Sequence, residues 1–349
     1  MSSGTPLDRR RFLQLAAGGA AATAGAAVLG SGSVAQAATR ARLTSSSTFS
    51  LAYQLSWLKT VEFAGSYIAD TKGYYKAHGL DVDLVAGGPN VDGIPLVTNG
   101  KAFVTTTGLD QASQAINQGA PIKVVAVLLQ KNPFCVVSRA DNPITKPTDC
   151  YGKKIGVAAS NSTAWNAFVS LNNLDVSKIH VEPAQFDPTP VATGEFDGQV
   201  VFIDNEVIQL QEKGLKTATM LFEDFNYHLV TDVYAVNTST LADATKRAAL
   251  VSFLKAEIQG WKMAIANPKY AASLTVNDYG KGTGLDLKQQ IGEATTQIPL
   301  INDAYTKKHG LLYFTSAALA PDFKTLKASK IVASPSKVLD DTVIADVYK

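Results

Sequence analysis

Trp57, Glu62 and Phe63, in the stretch SWLKTVEFAG (residues 56–65), bring two large aromatic side chains and one carboxylate to a strand-to-helix junction. Aromatic faces stack on flat rings and a carboxylate accepts hydrogen bonds from N–H groups, so this chemistry suits recognition of a small planar molecule. Groups for covalent or metal chemistry are sparse. His78, His180, His228 and His309 are scattered without a second ligand nearby, and neither H-E-x-x-H nor paired-cysteine spacing occurs, so no metal is expected. Gly100-Lys101, Gly152-Lys153 and Gly280-Lys281 lack the upstream glycine and the following Ser/Thr of a phosphate loop. The run Gly280 to Leu285 lacks the last glycine of a dinucleotide fingerprint, and no G-x-S-x-G elbow is present. No cofactor is expected, and an enzymatic reading loses weight.

The elements that position these residues alternate. Period-2 patterns predict strands over 49–55, 80–84, 102–106, 122–129 and 134–138, with helical spacing over 64–77 and 109–118. The turn-rich NPITKP (142–147) then interrupts. A second set follows, with strands over 154–159, 180–183 and 199–203 and helices over 164–171, 190–193 and 205–213. Gly79, Gly214 and Gly310 each follow Lys or His and precede Leu, the pattern of a left-handed helix cap with its hydrophobic contact. A strand is predicted over 229–236, and the remainder is mostly helical, led by 241–266, which ends near Asn267-Pro268. Strands separated by helices of this length indicate parallel βαβ units. The expectation is an α/β chain of two lobes: 48–138 plus 235–349 in lobe 1 and 139–234 in lobe 2, with two hinge crossings and a helical C-terminal tail. Tyr67, Tyr74, Tyr75 and Trp261 are expected to pack rather than bind.

The chain opens with Asp8-Arg9-Arg10-Arg11-Phe12-Leu13, passes through an Ala/Gly-rich apolar stretch and reaches Ala35-Gln36-Ala37. This pattern predicts a twin-arginine-type signal peptide over 1–37, cleaved after Ala37, then a flexible leader over 38–47. The remaining ~310 residues are long for one core, in keeping with two domains. The whole chain carries 32 basic and 30 acidic residues. The signal peptide takes three arginines and one aspartate, leaving a formally neutral protein that has no concentrated basic face for nucleic acid. Cys135 and Cys150 are the only cysteines. Export permits a bridge between them, but the apolar run around Cys135 favours a buried free thiol. Neither cysteine stands near the cleavage site, so no N-terminal lipid anchor is expected.

In open α/β sheets, ligands bind outside the carboxyl ends of the strands. Here those ends carry 57–65, Gly87-Gly88-Pro89-Asn90, Thr105-Thr106-Thr107-Gly108, Ser160 to Trp165, Asp187-Pro188-Thr189-Pro190 and Asp204-Asn205-Glu206. Glu62-Phe63-Ala64-Gly65-Ser66-Tyr67-Ile68-Ala69, Gly73-Tyr74-Tyr75-Lys76 and Gly79-Leu80-Asp81-Val82 resemble the N-terminal signature of substrate-binding proteins of ABC importers. The branch is the thiamine-pyrimidine-synthase-like one, which also holds sulfonate, taurine and nitrate binders. Tyr151 to Val157, Asn205-Glu206 and Gly260-Trp261 resemble further landmarks of the family. The resemblance covers roughly 48–330 and implies a type II periplasmic-binding-protein fold, a monomer that closes on a small-molecule ligand and docks on an ABC transporter permease. Ser56 stands where pyrimidine-binding members often carry Asp. The cysteine-rich stretch and active-site histidine of the pyrimidine-synthesising members are missing, so that activity is not expected.

With that fold, Trp57 and Phe63 are expected to form one cleft wall, with Glu62 facing a ligand N–H or amine. Stacking contributes about 0.5–1.5 kcal/mol beyond area burial. A charge-assisted hydrogen bond contributes roughly 1.5–3 kcal/mol. Micromolar binding needs about −8 kcal/mol, so polar groups of both lobes must join. The candidates are Asn90, Thr106 and Thr107 from lobe 1, and Asn161, Ser162, Thr163, Trp165, Asp187, Asp204, Asn205 and Glu206 from lobe 2. Ser160 to Thr163 equally fit a helix N-cap, Asp187 a helix start, and Asp204 and Glu206 first-turn charges. The expected ligand is a thiamine-precursor or pyrimidine-like heteroaromatic. One alternative is an alkylsulfonate, taurine or nitrate-like anion, for which the strand ends offer only Lys59 and Lys131. The other is an exported enzyme with Glu62 and Asp204 as its acid–base pair.

Overall fold

The computed structural model describes residues 48–349; the expected signal peptide (1–37) and leader (38–47) lie outside the described residues. Ten strands form: β1 (Phe49–Gln54), β2 (Leu80–Val85), β3 (Val104–Thr107), β4 (Ile122–Leu129), β5 (Phe134–Arg139), β6 (Lys154–Val157), β7 (His180–Pro183), β8 (Gly198–Phe202), β9 (Thr217–Leu221) and β10 (Thr231–Asn237). They build two five-stranded sheets, in the orders β2-β1-β3-β10-β4 and β7-β6-β8-β5-β9. Within the first, β1 runs parallel to β2 and β3, while β10 is antiparallel to β3 and β4. The second repeats the plan, with β6 parallel to β7 and β8, and β5 antiparallel to β8 and β9. The strands a crossing delivers, β5 and β10, are thus antiparallel to their neighbours.

Sheet membership corrects the expected lobe boundaries at 138 and 234. β5 already belongs to the second sheet and β10 already to the first, so the crossings fall at 130–133 and 222–230. An apolar run buried on both faces reads the same whichever sheet it enters, so pattern alone misplaces the crossing. β9 was also missed, because Thr217–Leu221 lies at the sheet edge and is largely half-buried.

Six helices matter below: α1 (Ala64–Thr71), α2 (Leu109–Asn117), α3 (Ser162–Leu171), α4 (Glu206–Glu212), α5 (Ala244–Ala266) and α6 (Leu287–Thr296). The helix expected over 64–77 breaks at Gly73, which takes φ 71°. The one expected over 241–266 restarts at Asp243, whose carboxylate accepts from the N–H groups of Thr245 and Lys246 at 2.9 and 3.0 Å. α1 and α5 approach at Gly65 and Gly260. A Cβ on Gly260 would meet the Gly65 carbonyl oxygen well inside van der Waals contact, and one on Gly65 would strike the Trp261 ring.

The main core spans the first sheet, its helices and the inner face of the second sheet. A smaller cluster of Cys135, Val137, Val191, Phe196, Val201 and Leu210 fills the outer face of the second. Cys135 and Cys150 are buried free thiols with no bridge between them. Tyr67, Tyr75 and Trp261 are core residues, and Tyr74 packs against the core half-buried. Among the described residues no helix is long and apolar enough to cross a membrane.

Candidate functional site

The carboxyl ends of the central strands of both sheets face a common cavity of about 320 Å³. From the first lobe it is lined by Ser56, Trp57 and Glu62 after β1, Asn90 to Ile94 after β2, Thr106 to Gly108 at the end of β3, Gln111 and Gln114 of α2, and Gln118, which caps the end of α2. The second lobe contributes Ser160, Asn161 and Thr163 after β6, Phe202 at the end of β8, and Asn205 and Glu206 after it. The crossing strands add Phe134, Thr231 and Asp232.

The loop after β1 is held from behind. Val61 N–H donates to Gln290 Oε1 at 2.7 Å, and Gln297 Nε2 donates to Val61 carbonyl at 3.0 Å. Thr60 Oγ1 donates to Glu293 Oε1 at 3.0 Å while its oxygen accepts from Glu62 N–H. α6 therefore fixes the short 3-10 turn Val61–Phe63 on both sides. Successive residues of a 3-10 turn project about a third of a turn apart, so Glu62 faces the cavity while Phe63 turns into the core at 0% exposure. α6 also reaches the second lobe, where Gln289 Nε2 donates to Asn205 Oδ1 at 3.4 Å.

Both lobes meet at the cleft. Ser160 N–H donates to the Pro89 carbonyl at 3.1 Å, Gln111 Nε2 to the Ser160 carbonyl at 2.6 Å, and Thr163 Oγ1 to Gln114 Oε1 at 3.3 Å. The crossings are joined too. Asn132 Nδ2 donates to the Leu229 carbonyl and Asn132 Oδ1 accepts from Phe134 N–H.

Nine expected residues line the cavity: Trp57, Glu62, Asn90, Thr106, Thr107, Asn161, Thr163, Asn205 and Glu206. Five do not. Phe63 is core. Ser162 donates to the Ala158 carbonyl as α3 begins. Trp165 is buried against Phe168 and Phe222 on the inner side of α3. Asp187 is exposed and caps the N–H of Thr189 at 2.9 Å. Asp204 is buried behind the lining. The other aromatic side chains of the lining are instead Phe134 and Phe202, packed edge-to-face on each other with centroids 4.7 Å apart. Sequence reasoning passed over both because they lie within strands that read as ordinary core.

The electrostatics are one-sided. Glu62, Asp92, Asp110, Glu206 and Asp232 line the cavity, and among the described residues no Lys, Arg or His does. Burial pushes Asp232, Asp204 and Glu206 up to about 7 and Glu293 to about 8, with neighbouring carboxylates adding to each push except that on Asp204. Glu62 is raised well above the carboxylate range, by burial first and then by Asp232, Glu293, Asp204 and Glu206. The pairing of Glu62 with Asp204 is not what the geometry provides. Ser56 Oγ instead lies 3.4 Å from Glu62 Oε1 and 3.4 Å from Asp232 Oδ1, and it accepts from Thr106 Oγ1 at 3.1 Å. Asp232 and Ser56 were missed by sequence reasoning; an aspartate opening a hinge strand carries no local pattern.

Two mixed α/β lobes, two crossings and one shared cleft define the periplasmic-binding-protein fold. Against the periplasmic aliphatic sulphonate binding protein SsuA of Escherichia coli the TM-score is 0.62 at 13% identity, covering 86% of this chain and 99% of that one. Residues 60–271, more than half of the chain, match the family model described as NMT1/THI5 like, and the chain belongs to that family. Two relatives are similar over most of their length. Riboflavin-binding protein RibY of Chloroflexus aurantiacus is 24% identical over 298 residues, covering 81% of this chain and 82% of the relative. A formylaminopyrimidine-binding protein of Halalkalibacterium halodurans is 20% identical over 250 residues, covering 70% and 75%.

Proposed function

We propose that this protein is the exported solute-binding component of an ABC importer, capturing a flat nitrogen heterocycle of the pyrimidine or thiamine-precursor type between its lobes and delivering it unaltered to a permease. The observation that carries this reading is the lining itself, in which Trp57, Phe134 and Phe202 stand beside carboxylates and amides in a cleft shared by both lobes. Contacts to both lobes at once favour the closed state, which is the form a permease distinguishes. The names of the two relatives, which bind a flavin and an aminopyrimidine, support a heterocycle.

The anion alternative loses its basis. A sulfonate or nitrate needs a cationic or donor-rich partner, whereas this lining brings five acidic side chains and, among the described residues, no basic one. Lys59 and Lys131 are absent from it. A fused-ring flavin is the second reading, because a cavity of about 320 Å³ exceeds what a single six-membered ring fills. The acid–base enzyme reading fails as drawn, since Asp204 does not reach the cavity that Glu62 faces.

The test is thermal unfolding and solution scattering of the purified protein with a panel of pyrimidines, flavins and sulfonates. A heterocycle should raise the melting temperature and compact the particle. No response to any pyrimidine or flavin, or a response to sulfonates alone, removes the reading.

A further inference from the structure

Glu62 and Asp232 approach the cavity from opposite elements, one from the turn after β1 and one from the start of β10, and both lean on the Ser56 hydroxyl. That hydroxyl has a single proton to divide between two carboxylates. The Oδ2 of Asp232 has no hydrogen-bond partner among the described residues, although the residue is 3% exposed. Asp232 also sits at φ 47°, left-handed backbone that a non-glycine residue adopts at a cost and that is found where function demands a fixed side-chain direction. A buried carboxylate oxygen without a donor is expensive unless something supplies one.

The surroundings offer no counter-charge. Asp204 from the loop after β8, Glu206 of α4 and Glu293 of α6 stand near the pair, Tyr53 of β1 lies near Asp232, and among the described residues no basic side chain lines the cavity. An anion entering here meets repulsion, and a ligand without a donor leaves Asp232 Oδ2 unpartnered. A positively charged nitrogen satisfies both carboxylates at once and brings N–H donors to them.

We infer that Glu62, Ser56 and Asp232 form the specificity element of the cleft and select a ligand edge bearing a protonated nitrogen, either an alkylammonium arm or the amidinium-like edge of an aminated heterocycle. This rests on the solute-binding reading above and narrows it from any flat heterocycle to a cationic one. Asp232 is the primary acceptor, through the oxygen that has no protein partner, and Glu62 the second. Ser56 holds the two carboxylates in register with Thr106.

Calorimetric titration with two matched probes tests this: an aminopyrimidine with an aminomethyl arm and the same ring with a hydroxymethyl arm. The aminomethyl probe should bind at least tenfold more tightly at pH 7.5, with protons released on binding, and its advantage should grow between pH 6 and 7.5 as Asp232, pushed up to about 7 by burial, surrenders its proton. Asp232→Asn should shrink the ratio between the probes to under threefold, and Glu62→Gln should reduce it by a smaller factor. Ser56→Ala, which retains both carboxylates but releases their common tether, should reduce the ratio by a smaller factor than Asp232→Asn does. Equal binding of the two probes by the unmodified protein overturns the inference, as does an undiminished ratio in folded Asp232→Asn and Glu62→Gln. Should Asp232→Asn fail to fold, Glu62→Gln and the pH dependence decide alone. Failure of both probes to bind also overturns it. Only if every flavin and pyrimidine fails as well does the solute-binding reading fall with it.

Discussion

Asn132 Nδ2 donates to the carbonyl of Leu229 at 2.9 Å, a bond that ties the outgoing crossing between the lobes to the returning one. The same side chain accepts from Phe134 N–H at 3.0 Å, so one buried amide sets the spacing of the crossings where a hinge must bend. The neighbouring Val230 N–H is held by Asp322 Oδ1 at 2.8 Å, which anchors the return to the C-terminal region.

Asn132→Ala should therefore cost about 1–3 kcal/mol of stability, since it strands two buried backbone groups. Denaturant unfolding measures that cost. Scattering of the variant without added solute should show a larger radius of gyration, because the crossings lose their common tether. An unchanged radius would place the hinge elsewhere.

The buried carboxylates make stability depend on pH with a definite sign. In the unfolded chain they titrate near ~4, whereas in the fold Asp232, Asp204 and Glu206 titrate at about 7 and Glu293 at about 8. Between these values the folded state holds more protons than the unfolded one, so stability falls as pH rises from ~4 through 7 to 8. The melting temperature without added solute should be higher at pH 5 than at pH 8. Asp204→Asn, at a carboxylate whose Oδ1 has no partner among the described residues, should flatten that slope. A melting temperature that rises from pH 5 to pH 8 would contradict the assignment.

Trp57 and Phe63 separate binding from folding. Trp57 is half-buried and lines the cavity, so Trp57→Ala should weaken heterocycle binding by about tenfold, near 1.4 kcal/mol, with little loss of stability. Phe63→Ala should cost about 3–5 kcal/mol of stability by opening the core, with affinity changed far less in whatever protein remains folded. Calorimetry and denaturation on both variants provide the comparison.

At Gly260, helix propensity and packing oppose one another. Replacing a mid-helix glycine with alanine ordinarily gains about 0.5–1 kcal/mol. Here the added Cβ collides with the Gly65 backbone of α1, and overpacking costs about 1–3 kcal/mol or more. Gly260→Ala should lower the denaturation midpoint; a raised midpoint would show that α1 and α5 can separate freely.

Much of the architecture was legible because it rests on local rules. Alternating residues marked β1 and β4, glycine caps at Gly79 and Gly214 marked helix ends, and the strand-end segments pointed to Trp57, Glu62, Asn161 and Asn205. Their types suited a ligand, and strand ends in open α/β sheets are where ligands go. Phe63 went astray because neighbours in a tight turn share a position along the chain without sharing a direction.

The sequence by itself determined the elements, the two-lobed α/β class and the chemical character of the strand ends, since periodicity, capping and turn chemistry act over a few residues. Tertiary structure alone decided that β5 crosses early, that Phe134 and Phe202 replace Phe63 and Trp165 in the cleft, and that Ser56, Glu62 and Asp232 meet. Ser56 and Asp232 lie 176 positions apart in the chain. Their proximity arises from the pairing of β10 against β3, and the upward push on Asp232 depends on burial that only tertiary packing supplies.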